Sequence, residues 1–323
     1  MKILNYTALV FIAVIIITSC SDSDKDEKHQ LVVSEKKIAF PTFNADSAYA
    51  FVQEQVDFGP RIPNTPEHIA AGDKIIARLE AYGAKVNVQS FEATTYDGVN
   101  LKLRNIMASF NPTAKKRILL ATHWDTRPWA SKDVLDPTAT FDGANDGASG
   151  VGVLLEIART MNANNLPTVG VDLLFFDGED WGQENGTATD SWCLGSQYWA
   201  KNKGNYSAYY GILLDMVGAK DAQFPFEGIS HQFAPKILNK VWTAASKIGH
   251  GRHFVTTKPG SITDDHYYVN VLAKIPMIDI LYFDPVNGYF GDFHHSTKDN
   301  MDVIDKKTLK AVGETVLYVV YGE

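Results

Sequence analysis

Residues 117–123 read Arg-Ile-Leu-Leu-Ala-Thr-His, a short apolar run that ends on a polar side chain. Three later runs share this pattern, at residues 171–177, 210–215 and 276–282. Runs of this kind are typical of central strands covered by helices on both faces. Helical patterns lie between and after them, at residues 147–161, 194–203, 232–249 and 305–321. Strands that alternate with helices predict an α/β fold, a three-layer α/β/α sandwich around a central mixed, mostly parallel sheet.

The chain before these runs predicts two helices and two strands. The helices are expected at residues 44–58 and 65–82. Alternating side chains at residues 86–91 indicate a half-buried strand, and residues 103–110 are expected to pair beside it. Neither an internal repeat nor a second linker follows, so we expect a single α/β domain over residues 41–323.

The composition excludes several classes of protein. The chain has 323 residues, of which 45% are hydrophobic and 21% charged, so it is neither a disordered protein nor a coiled coil. The net charge is −8 and no basic stripe is present, which argues against a nucleic-acid partner. Two cysteines cannot build a disulfide framework.

The first forty residues predict export and anchoring. The apolar run at 8–17 is about half of the roughly 20 residues that a spanning helix needs, which favours a signal peptide over residues 1–19. The segment Ile-Thr-Ser-Cys that ends at Cys20 resembles the lipobox of bacterial lipoproteins. We therefore expect residues 20–40 to be a lipidated cysteine and a polar tether. The expected location is the bacterial cell envelope, periplasm-facing or associated with the outer membrane, with the lipid on Cys20 as membrane anchor.

Histidine and acidic side chains stand at the carboxyl ends of the predicted strands or in the loops beyond them. They are His123, Asp146, Asp180, Asp215 and His295. In such sheets ligands collect where the strands end, so these groups are expected to meet. Histidine nitrogens and carboxylate oxygens without cysteine suit zinc, which in catalytic sites keeps one position open.

Each of these residues alone has an ordinary structural explanation. Asp146 could simply cap a helix, the adjacent Glu179 and Asp180 could form an exposed acidic turn, and a lone histidine is more often structural. Together they favour a metal site, because like charges at the end of an apolar strand are costly unless a cation or hydrogen bonds satisfy them.

Four segments resemble the zinc aminopeptidase superfamily and, more narrowly, its animal-type glutaminyl cyclases, the glutaminyl-peptide cyclotransferases. They are Asp146-Gly-Ala-Ser-Gly, Phe176-Asp-Gly-Glu-Asp, Leu214-Asp-Met-Val-Gly and His295-Ser-Thr-Lys-Asp-Asn. The resemblance spans roughly residues 45–321 and keeps the order of the motifs. It implies that Asp146, Asp180 and His295 hold one zinc ion and that Glu179 transfers protons beside it.

Two branches of the superfamily differ in how they use the remaining groups. The two-zinc aminopeptidases have a histidine and an aspartate for a second metal, and His123 and Asp215 match them. In cyclases the aspartate at the position of Asp215 instead joins a carboxylate network with the glutamate and one further aspartate, which Asp264 matches. Asp264 is therefore the discriminating residue, although a plain helix cap would also explain it.

The resemblance also suggests a substrate pocket, with aromatic walls that could stack on a side-chain amide. Its predicted members are Trp192, Trp181, Phe293, His294 and Asp279. Three residues depart from the animal enzymes: Asp180 replaces a glutamate ligand, Asp279 a pocket-rim histidine and His294 a tryptophan. The shorter Asp180 still ligates zinc, whereas the other two changes bear on substrate preference.

The implied activity is that of a zinc-dependent acyltransferase, with Glu179, Asp215 and Asp264 as catalytic residues. It would convert the N-terminal glutamine of peptides and proteins to pyroglutamate with release of ammonia, and we expect a monomer. Zinc would polarise the side-chain carbonyl, and Glu179 would move the protons. A two-zinc aminopeptidase and a surface binding protein on a retired hydrolase scaffold are the alternatives.

Overall fold

The computed structural model describes residues 38–184, 190–284, 286 and 288–323. The predicted signal peptide and Cys20 lie outside the described residues, as does the tether up to residue 37. The part from Ile38 to Glu323 forms one compact unit. Within the described residues, none of the helices has both the length and the apolar character needed to cross a bilayer.

Within the described part of the chain, six strands form the central sheet. They are β1 (Lys85–Thr94), β2 (Asn100–Phe110), β3 (Arg117–His123), β4 (Gly170–Phe176), β5 (Tyr210–Asp215) and β6 (Met277–Leu281). Their order across the sheet is β1-β2-β4-β3-β5-β6. The strands β3 to β6 run parallel, whereas β2 pairs antiparallel with both β1 and β4. The predicted mixed, mostly parallel sheet is confirmed.

Among the residues that the structure describes, eight α-helices accompany the sheet. They are α1 (Ala45–Asp57), α2 (Pro66–Ala81), α3 (Ala148–Ala163), α4 (Leu194–Asn202), α5 (Gly228–Phe233), α6 (Pro235–Lys247), α7 (Asp265–Tyr268) and α8 (Lys306–Tyr321). A π-helical turn, Val269–Ala273, continues α7. Most helices match the predicted ranges, but the helix expected at 232–249 was wrong as a single element. It is two helices, because Ala234 is non-helical (φ −136°, ψ 46°) and Pro235, which has no N–H, starts the second.

The strands bury both of their faces, which explains why their sequences are apolar throughout. Ile118 and Leu120 of β3 point into the core beneath α1, α3 and α8, while Leu119 and Ala121 point into a second core with Trp199 of α4. Full burial of each large apolar side chain contributes about 1.5–3 kcal/mol. The two cores fix the carboxyl ends of β3 to β6 along one edge of the sheet.

Candidate active site

The site lies where the parallel strands end. His123 is the last residue of β3 and Asp215 the last of β5, while Glu179 and Asp180 follow β4 by a short turn. Asp146 precedes α3, and His295 lies in the loop between β6 and α8. The structure brings together the groups that were expected to meet at this edge.

Two histidines face three carboxylates across the strand ends. His123 Nε2 lies 3.1 Å from Asp146 Oδ1 and 3.3 Å from Asp215 Oδ1. His295 Nε2 lies 3.0 Å from Asp180 Oδ1 and 3.7 Å from Asp146 Oδ2. Asp146 is thus shared between two donor groups that lie on either side of it.

The donor atoms of these groups fit a divalent ion. Among the described residues, both ring nitrogens of His123, both oxygens of Asp180 and Oδ1 of Asp215 are buried without a hydrogen-bond partner. Unsatisfied polar atoms are costly in an interior, and a cation between them would remove that cost. Nitrogen and oxygen donors in this number suit zinc.

Outer carboxylates hold the ligand-bearing loops. Asp125 accepts hydrogen bonds from the backbone N–H of Glu179 (3.1 Å) and of Asp180 (3.2 Å). Asp299 accepts from the backbone N–H of Asn145 (2.7 Å) and of Asp146 (3.0 Å). Neither aspartate was predicted from the sequence as a site residue, although both stand within five residues of a predicted ligand.

Several residues at the site have strained backbone conformations. Cys193, Met216 and His295 have φ values of 57°, 50° and 54°, in the left-handed region that residues other than glycine rarely adopt. Such conformations persist only where the surrounding contacts enforce them. Gly147 (φ 84°) follows Asp146, and a Cβ there would lie only 2.8 Å from the Asp125 carbonyl oxygen.

Glu179 is set beside this donor cluster in a buried, acidic neighbourhood. Burial raises the pKa of its carboxyl well above the ordinary value, and nearby Asp180, Asp264 and Asp265 raise it further against the opposing effect of His123. Cys193 Sγ donates a hydrogen bond to Glu179 Oε1 over 3.2 Å. A carboxyl group in such surroundings can serve as both proton acceptor and proton donor in catalysis.

Asp264 and Asp215 extend the acidic neighbourhood. Asp264 caps α7 by accepting from the backbone N–H of Asp265, and one of its oxygens lies within 4.8 Å of donor atoms of Glu179 and Cys193. Its capping function and its proximity to Glu179 therefore occur together. Burial raises the pKa of Asp215 to about 7, and Asp264 adds to this effect against the opposing contact with His123.

A cavity of about 480 Å³ opens onto Glu179, Asp180 and the adjacent histidines His294 and His295. Trp192 forms part of its wall, with its ring nearly parallel to that of His295 (6° between planes, centroids 5.9 Å apart). His294 stacks directly on His295, with centroids 3.6 Å apart, and also lines the cavity. Two of the predicted pocket residues, Trp192 and His294, therefore face the cavity.

The other three predicted pocket residues do not line this cavity, which corrects their placement. Trp181 is buried in a separate cluster and donates its indole N–H to Asp97 (3.2 Å). Phe293 is buried in the main core and stacks on Tyr282 at 5.5 Å. Asp279 is fully buried within β6, close to Asp264. In each case packing turns the side chain away from the opening.

The cavity mouth is lined by charged and aromatic side chains that were not predicted from the sequence. Lys132 Nζ lies 2.7 Å from His294 Nδ1 and 3.0 Å from Glu184 Oε1, and it sits over the Tyr289 ring. Glu184 Oε1 also lies 3.5 Å from His295 Nδ1. These residues come from three loops whose contact nothing in their sequence spacing could indicate.

A sequence model of peptidase family M28 matches residues 105–320, more than half of the chain. The chain belongs to peptidase family M28. The superfamily that the motifs suggested is confirmed, and zinc as the metal fits the family.

Three similar proteins show which activities are described for relatives of this chain. The glutaminyl-peptide cyclotransferase of Bos taurus is 25% identical to this M28 protein over 290 residues, covering 77% of this chain and 74% of the relative. The glutaminyl cyclase structure from Bacteroides thetaiotaomicron is similar with a TM-score of 0.86 and 52% identity, covering 88% of this chain and all of that one. A structure from Parabacteroides distasonis described as a Zn-dependent exopeptidase is similar with a TM-score of 0.85 and 49% identity, over 88% and 100% of the two chains. The M28 protein thus resembles one solved structure described as a glutaminyl cyclase and another described as an exopeptidase.

Proposed function

We propose that this protein is a glutaminyl-peptide cyclotransferase, which converts the N-terminal glutamine of peptides and proteins to pyroglutamate. The observation that carries the proposal is the side chain of Asp264 beside Glu179, in the wall of a cavity that is also lined by donors suited to zinc. The similarity to solved glutaminyl cyclases supports it.

The reaction needs orientation and proton transfer more than it needs an enzyme nucleophile. The substrate's α-amino nitrogen forms a bond to its own side-chain amide carbon, and the bond from that carbon to the amide nitrogen breaks, releasing ammonia. Because the attack is intramolecular, holding the two ends together supplies much of the acceleration. Glu179 accepts the proton that the amine loses and delivers a proton to the departing nitrogen.

The neighbouring side chains support these tasks. Asp146, Asp180 and His295 would hold one zinc ion, which when bound polarises the amide carbonyl as a Lewis acid. Asp264 and the Cys193 thiol keep the Glu179 carboxyl in place. Trp192 and His294 offer flat surfaces to the glutamine side chain.

A second candidate is a two-metal aminopeptidase. The observation that favours it is the additional donor group of His123, Asp146 and Asp215, whose ligand atoms lie within 4.8 Å of one another. Two metals there would activate a water molecule, and Glu179 would act as its general base.

Two measurements on the purified protein separate these candidates. Incubated with a glutaminyl and a leucyl peptide, the cyclase is expected to lower the mass of the first by one ammonia and to leave the second intact. Metal analysis is expected to find about one zinc per chain, since a single catalytic site needs one ion. A shortened leucyl peptide together with two zinc ions per chain would instead establish the aminopeptidase.

We further propose that the protein is a lipoprotein of the cell envelope, anchored through Cys20. The support is the lipobox-like segment before Cys20, preceded by an apolar run too short to span a bilayer. Cells that express the full chain and are fed an alkyne-tagged fatty acid are expected to label it, whereas Cys20→Ala is expected to abolish labelling. Equal labelling of both proteins would exclude this anchor.

A further inference from the structure

A second group of buried ionisable residues adjoins Glu179 through Asp264. It consists of Glu227, Asp264, His266 and Asp279. Polar atoms of Asp264, His266 and Asp279 all lie within 4.8 Å of one another. His266 and Asp279 are fully buried, so water cannot readily satisfy their charges.

Glu227 anchors one side of this group. It accepts hydrogen bonds from the backbone N–H of Ile229 (2.8 Å), Ser230 (2.7 Å) and Ile262 (3.0 Å), and His266 Nε2 lies 3.0 Å from its Oε2. Burial opposes its ionisation, but the contacts with His266 and the backbone outweigh this and lower its pKa to about 2. The His266 Nε2 proton is therefore committed to the Glu227 carboxylate.

Asp279 lacks such a partner. His266 Nδ1 is 3.6 Å from Asp279 Oδ2, beyond a hydrogen bond. Among the described residues, Nδ1 of His266, both oxygens of Asp279 and Oδ2 of Asp264 have no conventional hydrogen-bond partner. Carboxylate oxygens of Asp264 and Asp279 thus lie close together in a dry interior, and a shared proton is the simplest way to satisfy them.

We propose that Asp279 is a positioning residue that carries a proton and donates it in a hydrogen bond to Asp264, which holds Asp264 against Glu179. The backbone fits this task, since Asp279 lies mid-strand in β6 and its N–H donates to Ser230 Oγ (2.9 Å). The inference rests on the proposed function, because Asp264 acts through Glu179.

Burial and the acidic groups around Asp279 favour its protonated form. Burial raises the pKa of Asp279 well above its ordinary value, and Asp264, Asp215 and Glu227 raise it further. The imidazole of His266, whose Nε2 is committed to Glu227, is the one basic side chain that the described residues bring into this group. An ionised Asp279 would add another negative charge to this group, where the single imidazole already faces the Glu227 carboxylate.

Two variants of Asp279 distinguish a neutral side chain that donates a hydrogen bond from an ionised carboxylate. Asp279→Asn keeps a donor of nearly the same size, whereas Asp279→Ala removes it and leaves Asp264 unsatisfied. We expect the Asn variant to retain kcat for a glutaminyl peptide within about 3-fold, and the Ala variant to lose about 10- to 100-fold in kcat with KM little changed. Metal content and the melting temperature are measured alongside.

Three kinetic and metal outcomes would overturn the proposal. Wild-type kcat in the Ala variant would show that Asp279 positions nothing. Equal inactivity of a folded, metal-loaded Asn variant would show that an ionised carboxylate is required. A second equivalent of divalent metal in the wild type that disappears in the Asn variant would mean that the group binds a cation instead.

Infrared spectroscopy tests whether the Asp279 carboxyl group is protonated, and it does not depend on an activity assay. The difference spectrum of wild type minus Asp279→Asn at neutral pH is expected to contain the C=O stretch of a protonated carboxylic acid. An ionised carboxylate band in its place overturns the proposal, even if the Ala variant fails to fold. If the wild type forms no pyroglutamate, the proposed function fails while this spectrum still reports whether Asp279 is protonated.

Discussion

Glu179→Gln is expected to lower kcat for a glutaminyl peptide by about 10²- to 10⁴-fold, the usual contribution of a general acid–base group. The amide has the same shape and can still accept a hydrogen bond from Cys193, but it cannot take up a proton from the amine. Because Glu179 is not among the three proposed zinc ligands, the variant should keep its zinc. Steady-state kinetics and metal analysis of the same preparation check the fall in kcat and the retention of zinc.

The matched control makes the same chemical change at a remote buried position. Glu156 lies fully buried in α3 and pairs with Arg159 at 2.6 Å, away from the cavity lining. Glu156→Gln should affect stability more than turnover. Full activity in the Glu179 variant, with the control behaving as expected, would remove Glu179 from the mechanism.

His295→Ala is expected to weaken zinc binding by more than about 100-fold, because loss of even an outer-shell partner costs 10- to 100-fold. Turnover should disappear with the metal and return in part at high zinc concentration. A chelator competition titration gives the affinity directly, without an activity assay.

His294 provides the comparison for this second variant. It stacks on His295, but its Nε2 lies 3.9 Å from Asp146 Oδ2, and its Nδ1 is 2.7 Å from Lys132. His294→Ala should therefore keep the metal and change KM for the peptide. Metal loss in His294→Ala with retention in His295→Ala would reverse the ligand assignment.

The location of the site at the strand ends could be predicted from two features of the chain. Apolar runs such as residues 117–123 identify strands that are buried on both faces, and parallel strands end at one edge of the sheet. His123 and Asp215 terminate such strands, so their convergence follows from topology alone. The split of the helix expected at 232–249 was less visible, because the apolar periodicity continues through Pro235.

The cavity wall was harder to predict. Trp181 and Phe293 are close in sequence to site residues, but each packs into a core cluster instead. Lys132 and Glu184 reach the cavity mouth from loops that are far apart in the sequence. Proximity in sequence to a functional residue does not fix the direction of a side chain.

The sequence by itself determined the order of strands and helices, the edge at which polar groups gather, and the donor types suited to zinc. The tertiary structure alone decided which side chains turn toward the opening. Asp279 illustrates the difference: strand side chains alternate between faces, so Ile278 and Ile280 enter one core while Asp279 points to the other side. The helices packed on that side bring Asp264 and His266 to it, and such long-range packing leaves no local pattern in the sequence.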